Sequence, residues 1–210
     1  MEGIEIIRYS PVLQDGFRYI IENSTSNYMP YHNLNHLLTV LKYSDFIANG
    51  EGVYYDQRLP LHLAALFHDV DHSGGEFKDD GENIKRASAA FRKFSETTSE
   101  KISQDTVQKV VALIEATQYP YIKPHSALES RLQHIIRDAD LMQQFEYNWI
   151  GQATLGLAKE GDIPIKEFIP KQRLFLEEIK FLTKTANEFK EKNWSKIMNE
   201  FRILEVSMLL

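Results

Sequence analysis

The chain has 210 residues, no cysteine and a formal charge of -6, with 43% hydrophobic and 26% charged residues. This is ordinary globular usage with enough chain for one core, which excludes disordered, fibrous and disulfide-scaffold classes together with thiolate metal sites and cysteine nucleophiles. The acidic balance argues against nucleic-acid polymers and anionic membrane surfaces as partners, but it is compatible with a small anionic substrate held beside a bound cation.

The first ten residues, MEGIEIIRYS, put acids where a secretory leader carries lysine or arginine. No apolar run approaches the roughly 20 residues of a membrane helix, so a soluble, cytoplasmic protein is expected. Periodicity and punctuation predict helices over 11–23, 33–48, 58–71, 80–95, 103–117, 126–144, 146–160, 166–184 and 186–207. Pro60 suits the first turn of the third helix, and Ser103 suits a capped start for the fifth. Within that fifth helix Val107, Val110, Val111 and Ile114 recur at helical spacing. Useful strand alternation, repeats and interdomain linkers are absent, so one all-α domain over 1–210 is expected.

Four of the seven histidines fall in two tight motifs, YHNLNH at 31–36 and FHDVDH at 67–72. His32 and His36 are four residues apart, as are His68 and His72, so on a helix each pair would share one face. Asp69 and Asp71 add hard oxygen donors, and Asp138-Ala139-Asp140 adds another acidic pair later. Imidazole with carboxylate and no thiolate suits zinc, manganese, iron or magnesium. His68-Asp69 follows the apolar run LAALF. Charges at the edge of a core are costly unless paired or metal-bound. Adjacent His68 and Asp69 lie about 100° apart on a helix, so spacing does not force both onto one ion. His62, His125 and His134 read as ordinary hydrogen-bonded histidines, and Tyr119 and Phe145 as core or pocket-wall aromatics.

With these motifs the chain resembles the HD superfamily of metal-dependent phosphohydrolases, whose signature of His, His-Asp and a later Asp matches His36, His68-Asp69 and Asp140. Within it the chain is most similar to the catalytic domain of class I cyclic-nucleotide phosphodiesterases. YHNLNH matches that family's Tyr-His-Asn-x-x-His, and HDVDHSG its His-Asp-x-x-His-x-Gly. Glu82-Asn83, Ala116-Thr117, Ala139-Asp140-Leu141, Trp149 with Glu160-Gly161-Asp162, and Gln172-x-x-Phe175 match further stretches. The resemblance spans about residues 28–180. The chain departs from the pattern in being shorter, in carrying Lys85 or its neighbours in place of a histidine, and in Gln118 in place of an aspartate.

The resemblance implies a compact helical HD-type fold and hydrolysis of a cyclic or other small nucleotide by hydroxide generated at two divalent ions. His36, His68, Asp69 and Asp140 would hold the first ion, and Asp69 would bridge to the second. His32 would be the general acid, with His72 and Glu82 assisting catalysis and Thr117 bracing the site. Gln172 and Phe175 would clamp the base, and Thr117 and Tyr31 would line the substrate. Asp138 competes with Asp140 as the late ligand, and Asp71 reads as a structural carboxylate. Two alternatives stay open: an HD-type phosphomonoesterase or nucleoside-triphosphate hydrolase, for which Lys78, Lys85, Arg86 and Arg137 are available cations, and a non-catalytic metal-containing binding module.

Overall fold

Segment 59–67 is apolar on every side, and residues 61–67 are all buried, His62 included. A helix without a polar face belongs in the middle of a protein, and the rest of the chain is wrapped around this one. The computed structural model describes residues 3–74, 80–119 and 127–208, with the backbone alone over 127–130. Its helices are α1 (Gly3–Arg8), α2 (Pro11–Asn23), α3 (Leu34–Gly50), α4 (Leu59–Phe67), α5 (Gly81–Thr97), α6 (Gln104–Ala116), α7 (Ala127–Asp140), α8 (Gly156–Glu160), α9 (Ile165–Glu178) and α10 (Lys184–Ser207). Short 3₁₀ turns at Thr25–Tyr28, Tyr55–Gln57 and Leu141–Phe145 and a π turn at Ile150–Leu155 connect them. Among the described residues there is no strand, so the fold is all-α. No helix among them is long and apolar enough to cross a membrane.

Central α4 packs against α3, α6, α2, α5 and α7, and α3 lies along α7. The main core runs through these elements, and in it Phe67 stacks on Phe94 and meets Phe91 edge-on. A smaller core gathers Trp149, Ile169, Leu176, Ile197 and Phe201 between the π turn, α9 and α10. Pro60 does sit in the first turn of α4, and the Ser103 hydroxyl caps α6 by accepting from the Thr106 N–H at 3.1 Å.

The boundaries shift where tertiary contacts intervene. Helix α1 was not expected, and it packs so closely on α3 that a Cβ at Gly3 would meet the Leu38 carbonyl oxygen at 2.4 Å. The helix expected over 58–71 stops at Phe67 because segment 24–26 clasps the following turn. Asp71 adopts φ 62 there, its carboxylate accepts from the Thr25 N–H (2.8 Å) and hydroxyl (3.1 Å), and Ser26 donates to the Asp69 carbonyl at 3.2 Å. The helix expected over 166–184 ends at Glu178, since Asp138 pulls residues 182–183 into extended backbone. Its carboxylate accepts from the N–H groups of Leu182 and Thr183 and from the Thr183 hydroxyl at 2.7–3.0 Å.

Candidate metal centre

Three helix ends meet beside α4. His36 lies in the first turn of α3, whose start is fixed by Asn33 accepting from the N–H groups of Asn35 and His36. His68 and Asp69 leave the C-terminus of α4, and Asp140 closes α7. The C-terminal ends of α4 and α7 add partial negative charge, which favours a cation. His36 Nε2 lies 3.1 Å from Asp69 Oδ2 and 3.2 Å from Asp140 Oδ1. His68 Nε2 lies 3.1 and 3.4 Å from the same two oxygens.

Both Nε2 atoms are buried, yet among the described residues neither forms a directed hydrogen bond despite those short separations. Two imidazole nitrogens and two carboxylate oxygens therefore converge on a common point. With metal–ligand bonds of about 2.0–2.1 Å, neighbouring donors around one ion stand about 3.0–3.4 Å apart, so the donor set fits a divalent cation. The opposite ring nitrogens are tethered: His68 Nδ1 donates to the Ala65 carbonyl at 3.0 Å, and His36 Nδ1 faces Gln143 Oε1 at 3.4 Å. Such tethers leave Nε2 as the coordinating atom.

Electrostatics agrees with the geometry. Burial would push His36 down, but the carboxylates of Asp140 and Asp69 outweigh it and raise it to about 9. His68 is likewise raised well above its ordinary value. Burial acts to raise Asp140 as well, yet His36 and His68 hold it at about 2.

A second group, His32, His72 and Glu160, adjoins the first. The rings of His32 and His72 stack at 3.5 Å, and His32 Nε2 stands 4.0 Å from Asp69 Oδ2. Glu160 organises this group. Its Oε2 accepts from the N–H groups of Tyr31 (2.8 Å) and His32 (3.0 Å), while its Oε1 pairs with His32 Nδ1. His72 Nδ1 already accepts from the Gly74 N–H at 3.0 Å, and Asn83 Nδ2 stands 3.0 Å from its Nε2. Burial pushes His72 down. Both its ring nitrogens have close polar neighbours, unlike the open nitrogens of the first group.

The two His-x-x-x-His motifs thus do not act as helical-face pairs. His32 precedes α3 and His72 lies beyond the turn after α4, so each motif sends one histidine to each group. Tyr31 is brought to the site, its ring 4.6 Å from His36 and 4.7 Å from His32. Glu82 is not brought in. It faces solvent and pairs with Lys85, because its neighbour Asn83 takes the inward position on α5. Thr117 is buried, and its hydroxyl donates to the Ile114 carbonyl at 2.7 Å, closing α6. Gln172 lies on the buried face of α9 with Ile169 and Leu176. Phe175 instead borders a groove of about 820 Å³ that also includes Tyr119, Leu141 and Leu182.

Asp138 is the clasp on residues 182–183, which leaves Asp140 as the candidate ligand of the two. Burial pushes the Asp138 carboxyl up to about 6. Arg137 is buried and donates to the Ala116 carbonyl at 2.8 Å. His62 pairs with Asp45, and Phe145 packs against Phe181, Phe189 and Trp194. Lys78 and His125 lie outside the described residues.

Glu160 and Gln143 were missed as site residues. Glu160 had a signal only in its place before Gly161-Asp162, since periodicity says nothing about a contact 128 residues away. No protein-family model matches the chain, and no curated protein matches it.

Proposed function

We propose that this protein is a divalent-metal-dependent phosphohydrolase of HD type that cleaves a phosphodiester bond in a cyclic or other small nucleotide. The observation that carries the reading is the convergence of His36, His68, Asp69 and Asp140, with two buried imidazole nitrogens left open toward one point. When bound there, divalent cations supply Lewis acidity and lower the pKa of water from 15.7 to about 7. Asp69 is partly exposed, with an edge facing His32, so it is the carboxylate suited to bridge toward a second ion.

His32 is placed to hold and deliver a proton. Glu160 occupies its Nδ1, which leaves Nε2 facing the Asp69 side of the site, and the ring is 18% exposed. Glu160 pairs with Nδ1 and is itself anchored by the backbone N–H groups of Tyr31 and His32, which fixes the ring in the orientation a general acid for a leaving alkoxide requires. A nucleoside-triphosphate hydrolase is less well supported, since Arg137 is committed to the Ala116 carbonyl.

The test is metal analysis followed by hydrolysis of cyclic nucleotides, nucleoside monophosphates and triphosphates with manganese, magnesium or zinc. Diester cleavage with stoichiometric metal is expected. A chain that takes up no divalent ion, or that turns over none of the panel, ends this reading.

A further inference from the structure

Helix α5 turns a cationic face outward in an acidic chain. Lys85, Arg86, Arg92 and Lys93 are all exposed there, while its acids, Glu82 and Glu96, lie toward its ends. Lys85, Ser88 and Arg92 follow at spacings of three and four, so they share one side of the helix. That side walls a groove of about 500 Å³, which Val111, Glu115 and Gln118 of the α6 side close opposite.

Ser88 is 9% exposed, and its hydroxyl has no hydrogen-bond partner among the described residues. A serine inside a helix can bond back to the carbonyl one turn earlier, but this one does not. A buried hydroxyl left unsatisfied is unfavourable, and Ser88 lines the groove. The Arg92 guanidinium makes no hydrogen bond or ion pair among the described residues. Lys85 pairs with Glu82 at the solvent edge. The charged groups lining the groove are Lys85, Arg92 and Glu115, one positive charge in excess, with Arg86 and Lys93 on the adjoining ridge.

We propose that this α5–α6 groove binds a phosphoryl oxyanion at a site distinct from the metal centre. Arg92 supplies a forked donor pair suited to phosphate oxygens, Lys85 a point charge, and Ser88 a hydroxyl donor. Glu115 on the opposite wall limits the net charge, which suits a single phosphoryl group and disfavours a polyphosphate. Inorganic phosphate and the phosphoryl group of a nucleotide offer this same chemistry.

The test is residue-resolved amide NMR of the full chain with zinc present, titrated in separate arms with inorganic phosphate and with a nucleoside monophosphate. Saturable shifts over residues 84–92 and 111–118 are expected in at least one arm. Saturation by inorganic phosphate identifies the free anion as the ligand, whereas saturation by the nucleotide alone identifies a larger molecule presenting the group. Arg92→Glu should weaken the groove response about tenfold or more and Ser88→Ala several-fold, with metal content and circular dichroism unchanged. Arg92→Gln is the milder second variant. Absence of saturable groove shifts, or shifts unaltered in the Arg92 variants, overturns the proposal. The readout involves no hydrolysis, so its failure is distinguishable from failure of the hydrolase reading.

Discussion

His36 and His68 carry the strongest electrostatic consequence of the fold. In the metal-free chain burial opposes their charge, yet Asp69 and Asp140 raise both, His36 to about 9 and His68 well above its ordinary value. A cation entering between them must displace the proton that His36 holds at pH 7. Metal affinity should therefore climb as pH rises toward about 9, and binding at pH 7 should release protons, that of His36 among them. Calorimetry in buffers of differing ionisation enthalpy measures that release, and a value near zero would contradict the assigned pairing. The same raised values stabilise the metal-free fold below pH about 6.5, and that increment is lost as pH rises through about 9. Two substitutions separate the roles. Asp69→Asn should lose metal and activity together. His32→Ala should keep the metal while turnover drops by about 10²–10⁴, the usual worth of general acid catalysis. Unchanged turnover in His32→Ala would remove the proton-donor assignment. At Glu160, Gln retains an acceptor for the two N–H groups whereas Ala does not. Glu160→Ala should thus lower both the melting temperature and turnover, and Glu160→Gln mainly turnover.

At the scale of the element, the turn after α4 decides whether the ligands meet. Asp71 is held at φ 62, a conformation that costs a non-glycine residue, by two bonds from Thr25. Asp71→Ala keeps that backbone demand and removes both bonds, with an expected loss of about 1–3 kcal/mol and weaker metal binding through Asp69. Asp71→Gly, which eases the backbone, should be milder. Chemical denaturation with metal titration checks both, and equal stability in the three proteins would refute the clasp. Helix α8 bears a parallel constraint, because a Cβ at Gly156 would sit 2.8 Å from the Pro30 carbonyl oxygen. This close approach sets the next turn of α8, and with it Glu160, against Tyr31 and His32. Pattern located most helices because their apolar stripes and caps are local. It overran at 58–71 and 166–184 because the residues ending those helices, Thr25 and Asp138, are remote in sequence.

Across the whole molecule, the candidate metal centre adjoins the main core through Leu37, Phe67, Val70 and Ala139, and the C-terminal half of α10 belongs to the smaller one. Phe201 is fully buried in that smaller core, packed on Trp149 with ring centroids 6.2 Å apart. Phe201→Ala should cost about 3–5 kcal/mol and speed hydrogen exchange in α9 and α10 first. Metal content should be unaffected, and loss of metal in this variant would show that the two cores act as one unit.

Sequence alone determined the all-α class, the cysteine-free donor chemistry and the candidate set His32, His36, His68, His72, Asp69 and Asp140. Residue type and helical period suffice for those, since both act within a few turns of chain. Tertiary structure decided which histidines share a point, exchanging partners between the two motifs, and which aspartate of 138 and 140 faces it. It also brought Glu160 to His32. Those outcomes depend on where helices end and which polar groups lose water together, and both are set by contacts between segments far apart in the chain.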